Sequence, residues 1–218
     1  ASENTVYRSK DIEEMSGHFR MFNHMLKTID LPLSETLIKE FHFHLKSGVF
    51  EDMANGYPVG EYKNRANVVS DITTSTPQMV AEKMKNLLVE YNELDKYDVN
   101  SLMKFHADFE HIHPFQDGNG RVGRMILFRE CLKHEIIPII IRDESKAEYY
   151  HVLHEAQVNH NYKPVVEYAR KQQMLCKEEL APFVQVEEGE IENHRVPERI
   201  SERRQDMLRE MKGINLEQ

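Results

Sequence analysis

The stretch HPFQDGNGRVGR, residues 113–124, is the most informative part of the chain. It places a histidine, a carboxylate, glycines and two arginines directly before an apolar run that predicts a buried helix starting near Arg121. The first turn of a helix leaves N–H groups unpaired and carries a partial positive charge. Together these groups are suited to hold a polyphosphate and to deprotonate a group beside it.

The glycines and arginines of this stretch suit the binding of phosphates. Gly118 and Gly120 permit backbone conformations that other residues rarely adopt, so an anion can approach the N–H groups closely. Arg121 and Arg124 are three positions apart, and their planar guanidinium groups match phosphate oxygens. The sequence Asp-Gly-Asn-Gly alone is typical of an ordinary turn. A turn, however, needs neither arginines at helical spacing nor a histidine.

Two further side chains complete the predicted chemistry. Asp117 is a natural ligand for a magnesium ion that a nucleotide carries on its phosphates. His113 titrates near neutral pH and can accept a proton from an attacking hydroxyl. Phe115 lies between these polar residues, and we expect it to anchor the loop in the core.

The pattern His-x-Phe-x-Asp-Gly-Asn-Gly-Arg-x-x-Arg resembles the signature of Fic-domain proteins, and every specified position is matched. The likeness covers roughly residues 10–180. It implies a mainly α fold, a Fic-type helical bundle with a small β-hairpin flap. Fic enzymes mostly transfer AMP from ATP to a Ser, Thr or Tyr hydroxyl of a target protein. The resemblance implies His113 as general base, Asp117 as magnesium ligand, Gly118, Asn119 and Gly120 as phosphate cradle, and Arg121 and Arg124 as neutralising cations.

A second resemblance lies between residues 50 and 75, where turn residues interrupt the helical pattern. Val68-Val69 and Tyr62 suggest short extended segments. The sequence Gly60-Glu61-Tyr62-Lys63 resembles the Gly-x-Tyr-Arg/Lys stretch of the Fic flap, which pairs edge to edge with an extended target segment. An ordinary surface loop is the alternative, and we favour the flap.

The N-terminal region resembles the inhibitory Ser/Thr-x-x-x-Glu-Gly/Asn motif of many Fic proteins. Ser9 and Glu13 match its spacing, while Glu14 stands where glycine or asparagine is expected. The resemblance implies that Glu13 pairs with Arg124 and blocks the productive pose of the nucleotide, because one arginine cannot serve two anions well. A helix N-terminus capped by Ser9 and enriched in acidic residues explains the same sequence equally well.

Apolar residues recur at three- and four-residue steps along most of the chain, which predicts a mainly helical domain. A second helix is expected after a cap at Ser34, a third from Pro77 and a fourth from Val99 to the motif; two more are expected near 144–160 and 164–180. The charged composition of residues 187–218 separates a tail or terminal helix from a domain over residues 1–186. The first amphipathic stripe comprises Ile12, Met15, Phe19, Phe22, Leu26 and Ile29.

Composition narrows the functional class. The 218 residues are 40% hydrophobic and 30% charged, as in a globular enzyme, and the net charge of −9 argues against general nucleic-acid binding. No apolar run is long enough to cross a membrane, and the polar opening residues do not predict a signal peptide. Cys131 and Cys176 are expected to be reduced core thiols, which favours a cytoplasmic protein.

Two other groups of residues have a functional and a structural interpretation. Tyr149 and Tyr150 resemble the Fic helix beside the nucleotide base and could stack on adenine, although tyrosines in a helix more often serve packing. The histidines at 42, 44, 106, 111 and 113 lack the ligand spacing of a zinc site, so we do not predict one.

The sequence therefore predicts a protein adenylyltransferase that uses ATP and Mg²⁺, acts on a hydroxyl-bearing target protein and is held in check by its N-terminal helix. One alternative is another phosphate-group chemistry on the same fold, either phosphotransfer or removal of AMP. A second alternative is a nucleotide-binding interaction module without catalysis. The sequence is compatible with a homo-oligomer but does not predict an oligomeric state.

Overall fold

The computed structural model describes residues 9–69 and 72–181. The predicted tail at 187–218 lies outside these residues. The described chain forms eight α-helices and a two-stranded hairpin, which confirms the mainly α prediction. The elements are α1 (Ser9–Lys27), α2 (Glu35–Lys46), α3 (Phe50–Ala54), β1 (Val68–Val69), β2 (Ile72–Thr73), α4 (Pro77–Asn92), α5 (Val99–Ile112), α6 (Asn119–Lys133), α7 (Lys146–Asn159) and α8 (Lys163–Leu180), with a 3₁₀ turn at Asp143–Ser145.

Local sequence signals set several of the helix starts. The Ser34 hydroxyl accepts the Leu37 N–H at the start of α2, and α4 begins at Pro77, as predicted. At α5, Asp98 and Ser101 form a reciprocal capping box. Such side chains pair N–H groups that the first helical turn would otherwise leave without a partner.

Helix α5 is the centre of the fold, because it packs against α4, α6, α7 and α8. Helices α1 and α2 pack on each other, and both contact α6. One hydrophobic cluster includes the fully buried side chains of Phe41, Met84, Phe109 and Val122 from four different helices. The core thus holds the end of α5 and the start of α6, which flank the motif. The two cysteines, Cys131 and Cys176, are free and buried as predicted.

The predicted apolar stripe of α1 is wrong over its first half. Ile12, Met15 and Phe19 are 51%, 56% and 60% exposed, whereas Met21 and Met25 are fully buried. Residues two positions apart on a helix lie about 200° apart around its axis, so the face that contains Phe19 points away from the face that contains Met21. The buried face of α1 differs from the predicted face because apolar residues occur on both sides of this helix.

The predicted hairpin is confirmed between residues 68 and 73. Val68 pairs with Thr73 and Val69 with Ile72 in antiparallel register, while residues 70–71 lie outside the described part. Val68 is 69% exposed and Ile72 is buried. The hairpin therefore has one side against the domain and one toward solvent. Among the described residues, no helix is long and apolar enough to cross a membrane.

Helices α1 and α2 come closest at Gly17, which is buried. A Cβ atom on Gly17 would lie 1.9 Å from the Leu45 carbonyl oxygen, a distance that real Cβ atoms do not show. Only glycine lets the two helices approach this closely.

We expect Gly17→Ala to destabilise the protein by about 1–3 kcal/mol despite the higher helix propensity of alanine, because the two helices must separate. Urea unfolding measures the change. The neighbouring variant Ser16→Ala, at an exposed position of the same helix, should change stability by less than about 0.5 kcal/mol. Equal stability of Gly17→Ala and the parent would show that the contact does not constrain the helices.

Candidate active site

The motif forms the turn between α5 and α6. His113 ends α5 in the left-handed region at φ 52° and ψ 62°, and its N–H donates to the Phe109 carbonyl. Gly118, at φ 83°, precedes the first residue of α6. A left-handed conformation costs a residue such as His113 roughly 1 kcal/mol, so the surrounding structure must hold it. His113 and the N-terminus of α6 thus lie at the two ends of one short turn.

Asn119 fixes the shape of this turn. Its side-chain oxygen accepts the Phe115 N–H at 2.7 Å, and its side-chain nitrogen donates to the Phe115 carbonyl at 2.8 Å. Both residues are buried, and Phe115 anchors the loop in the core as predicted. Because both ends of the Asn119 amide are engaged, its predicted role in the phosphate cradle is limited to its backbone N–H.

His42 of α2 ties the motif to the segment before the hairpin, and the sequence analysis missed this role. Its Nδ1 accepts the Gly60 N–H at 2.9 Å, so Nε2 carries the proton and donates to the Asp117 carbonyl at 3.1 Å. The ring stacks on Phe115 with 4.0 Å between centroids. Burial lowers the pKa of His42 to about 4 against the opposing effect of the bond to Asp117. His42 is therefore a neutral, fixed bridge.

The tautomer of His113 follows from one contact. Its Nδ1 lies 3.3 Å from the Glu110 carbonyl oxygen, which can only accept, so Nδ1 carries the proton and Nε2 has the lone pair. Burial lowers the pKa of His113 to about 4, with the nearby charge of Lys63 acting in the same direction. The imidazole is neutral at physiological pH and offers a proton acceptor at Nε2.

Asp117 is held by Lys46, a second residue that the sequence analysis missed. The Lys46 ammonium donates to Asp117 Oδ2 at 2.6 Å. Partial burial acts to raise the pKa of Asp117, but the bond and charge of Lys46, the Gly118 N–H and the charge of Arg121 together hold the pKa below its ordinary value. The available signal was the position of Lys46, four residues after His42 and eight after Ile38 on the buried side of α2.

Asp117 fits a magnesium ion that a nucleotide brings with it. Its side chain is 44% exposed, and Mg²⁺ is usually bound by one or two carboxylates together with substrate phosphates. Among the described residues, no group of three or more His, Cys, Asp or Glu side chains is arranged to hold a metal ion by itself.

The predicted pairing of Glu13 with Arg124 is wrong, because a different acid and a different arginine meet. Glu14 makes two contacts with Arg121, at 2.8 Å and 3.2 Å, while Glu13 accepts the Phe50 N–H at 3.2 Å. Adjacent helical residues point about 100° apart, so only one of the two acids can face the motif. The side chain of Ser9 lies outside what the structure describes.

Arg124 lies against Gly120 in the first turn of α6. A Cβ on Gly120 would come 3.0 Å from the Arg124 guanidinium, so glycine gives this side chain its room. Behind it lies Glu110, whose pKa burial raises to about 7 against the opposing charge of Arg124. Both motif arginines are near enough to His18 of α1 for their charges to add to the effect of burial in lowering its pKa, but among the described residues only Arg121 is paired with the α1 carboxylate Glu14.

The two tyrosines predicted to contact adenine are not equivalent. Tyr149 is 1% exposed, and its hydroxyl lies 2.7 Å from His106 Nε2 in the core. Tyr150 is 52% exposed. Tyr149 is therefore a packing residue, because successive residues of α7 lie on different sides of the helix, and the adenine prediction rests on Tyr150.

The predicted role of residues 60–63 in pairing with a target strand needs correction. The Gly60 N–H donates to His42 and the Lys63 N–H to the Pro114 carbonyl at 2.8 Å, so both donors point into the domain. Lys63 is buried, Glu61 pairs with Lys39 at 2.9 Å, and the Tyr62 ring lies beneath the Lys39 ammonium. This segment is the base of the flap, whereas the exposed strand is β1.

Comparison with known proteins agrees with this geometry. Residues 32–130 match the model of the Fic/DOC family. The protein adenylyltransferase fic-1 of Caenorhabditis elegans is 29% identical over 124 residues, which are 55% of this chain and 24% of that protein. A Fic domain containing signalling protein of Bacteroides thetaiotaomicron has a TM-score of 0.70 at 24% identity, covering 86% of this chain and 79% of that one.

A further solved structure contains a nucleotide analogue. The BepC protein of Bartonella tribocorum, with bound AMPPNP, has a TM-score of 0.55 at 14% identity and covers 78% of this chain and 93% of that one. The motif, the fold and these matches agree, and residues 32–130 of the chain are similar to the Fic/DOC family. It spans 24–35% of the length of the curated relatives fic-1 from two Caenorhabditis species and the Aquifex aeolicus protein.

The low pKa of His42 predicts a pH dependence of stability. The unfolded chain binds a proton at this histidine near pH 6.5, whereas the folded chain does so only near pH 4, so stability must fall as the pH drops through this window. We expect His42→Gln to reduce the slope of unfolding free energy against pH by up to about 1.4 kcal/mol per pH unit between pH 4 and 6.5.

Urea unfolding at several pH values measures this slope. Ser16→Ala, at an exposed side chain that does not titrate, should leave the slope as in the parent. Identical slopes for His42→Gln and the parent would mean that His42 titrates in the folded protein as it does in the unfolded chain.

Proposed function

We propose that this chain is a protein adenylyltransferase, which transfers AMP from ATP to a Ser, Thr or Tyr hydroxyl of a target protein. The observation that carries the proposal is the tautomer of His113: its Nδ1–H is bound to the Glu110 carbonyl, so its Nε2 lone pair is available beside a helix N-terminus. A phosphate-binding module without catalysis would not need a proton acceptor there. Relatives that are named adenylyltransferases favour AMP as the transferred group.

In the proposed reaction, His113 Nε2 takes the proton of the target hydroxyl. The hydroxyl oxygen forms a bond to the α-phosphorus, the bond from that phosphorus to the β-phosphate oxygen breaks, and pyrophosphate leaves. The N–H groups of Asn119 and Gly120 and the Arg124 guanidinium bind the phosphate oxygens. When bound at Asp117, magnesium would neutralise charge on those oxygens. The protonated imidazole then returns its proton to water.

The substrates would reach this centre from two sides. The exposed strand β1 offers backbone groups to an extended target segment, in the manner of strand addition. The exposed ring of Tyr150 on α7 is the aromatic side chain that we assign to the adenine. The assignments of β1 to the target and of Tyr150 to the adenine both rest on the exposure of these residues. Neither requires the buried residues of the motif to move.

We further propose that Glu14 holds the enzyme in check. Its carboxylate is paired with Arg121, and burial, which acts to raise the pKa of Glu14, is outweighed by its hydrogen bonds to Arg121 and Lys46, so that the pKa lies below its ordinary value. Glu14 is therefore ionised, and its ion pair with Arg121 engages the guanidinium group that a phosphate would otherwise bind. A nucleotide must displace the Glu14 carboxylate before Arg121 can bind the phosphates of the nucleotide.

Removing the proton acceptor tests the mechanism. We expect His113→Ala to lower the rate of AMP transfer by about a hundredfold or more, with ATP affinity changed only a few-fold. Transfer is measured with ATP labelled at the α-phosphate, and binding by calorimetry. His111→Ala, on the same helix but facing Lys83 and Asp108, should transfer AMP at the parent rate. Full transfer by His113→Ala would remove His113 from the mechanism.

Neutralising the α1 carboxylate tests the proposed inhibition. We expect Glu14→Gln to raise the transfer rate about tenfold or more, because a charged pair with Arg121 is replaced by a weaker neutral contact. The matched variant Glu13→Gln, whose side chain meets the Phe50 backbone, should remain at the parent rate. An unchanged rate in Glu14→Gln, or a rise in Glu13→Gln alone, would refute the role of Glu14.

A further inference from the structure

One ammonium group is enclosed by three carboxylates beside the motif. The Nζ atom of Lys46, at the end of α2, lies 2.9 Å from Glu14 Oε1, 2.7 Å from Asp52 Oδ2 and 2.6 Å from Asp117 Oδ2. These acids belong to α1, α3 and the motif loop. Lys46 therefore joins three separate parts of the chain at a single point.

The ammonium group lies in the buried part of this cluster, whereas the Asp117 side chain is 44% exposed. Lys46 and Asp52 are each 1% exposed, while the Glu14 side chain is 19% exposed. An ammonium group has three N–H donors, and here three acidic oxygens surround it. With Arg121 paired to Glu14, the cluster contains three negative and two positive side chains. Without Lys46, the negative charge would exceed the positive charge by two.

Carboxylate oxygens are the type of ligand that a divalent cation takes, although the present arrangement is set around an ammonium group and not around a metal ion. Ca²⁺ binds carboxylate oxygens at about 2.3–2.6 Å and Mg²⁺ at about 2.0–2.1 Å, and the present oxygens lie 2.6–2.9 Å from the ammonium nitrogen. A cation at the position of the ammonium would need these oxygens to move inward by about 0.3 Å for Ca²⁺ and by about 0.6–0.8 Å for Mg²⁺. The lysine thus occupies a position to which these acids would otherwise attract a metal ion.

We propose that Lys46 is a positioning residue that acts as a built-in cation. It holds the Asp117 carboxylate and keeps free divalent cations away from it. Asp117 therefore binds a metal ion only when nucleotide phosphates bind with it. The proposal rests on the proposed function insofar as that function makes Asp117 a magnesium ligand. Its physical basis is repulsion, because a positive charge in contact with Asp117 opposes the approach of a second cation. The phosphates of a nucleotide supply the negative charge that offsets this repulsion.

The test is Mn²⁺ binding without nucleotide, measured by electron paramagnetic resonance on the whole chain. We expect the parent to bind Mn²⁺ weakly and Lys46→Met to bind it at least about tenfold more tightly. Asp52→Asn combined with Lys46→Met should lose most of this gain, which locates the new site. Lys39→Met, which removes a surface lysine of the same helix paired with Glu35 and Glu61, should bind as the parent does.

Each outcome decides the proposal. Tight Mn²⁺ binding by the nucleotide-free parent, or equal weak binding by parent and Lys46→Met, contradicts it. If Lys46→Met folds only when Mg²⁺ or Ca²⁺ is present, the cation has replaced the ammonium and the proposal is supported. If it does not fold under either condition, the proposal is wrong. None of these results depends on AMP transfer, so a failure of the proposed function would be seen separately.

Discussion

The reciprocal pair of hydrogen bonds between the Asn119 side chain and the Phe115 backbone is the constraint on which the site depends. It fixes the turn between α5 and α6 from within the core, where water cannot compete for the bonds. The left-handed conformation of His113 and the start of α6 at Asn119 both follow from this turn. The turn thereby joins a proton acceptor to the N-terminus of a helix before any ligand arrives. Such preorganisation is what transfer of a phosphate-containing group requires of a protein.

Charge links this turn to the helices packed around it. Lys46 and Arg121 share Glu14, and Lys46 also holds Asp117, so a carboxylate of α1, a lysine of α2 and an arginine of α6 form one connected network. A change in the position of α1 must therefore alter the electrostatic surroundings of the motif. Removing one member of such a network leaves a buried charge without its partner. The contributions of the charged side chains to stability therefore depend strongly on one another.

The residues that are close together in the sequence could be assigned from it, whereas those brought in by packing could not. The twelve motif residues form one turn and the beginning of one helix, and Ser34 and Pro77 begin helices by local rules. His42 and Lys46 act through contacts with Asp117 more than 70 positions away, which no spacing rule predicts.

Errors of helical phase account for the main corrections. The sequence favours Glu13 over Glu14 and places Phe19 inside, because sequence spacing gives the period of a helix but not which face its neighbours cover. Tyr149 is buried and Tyr150 is exposed for the same reason, because the spacing does not show which face of α7 packs against the domain. At residues 60–63 the sequence resembled an edge strand, but backbone bonds to His42 and Pro114 direct the segment inward.

The most direct test of the account follows the fate of ATP labelled separately at its α- and γ-phosphates. The purified chain and its Glu14→Gln variant are incubated with magnesium and each label, alone and with cell extract as a source of targets. We expect the protein to retain the α-label, the γ-label to leave in pyrophosphate, and phosphodiesterase to release AMP from the product. Retention of the γ-label on protein, or the absence of either label from protein with Glu14→Gln, would contradict AMP transfer.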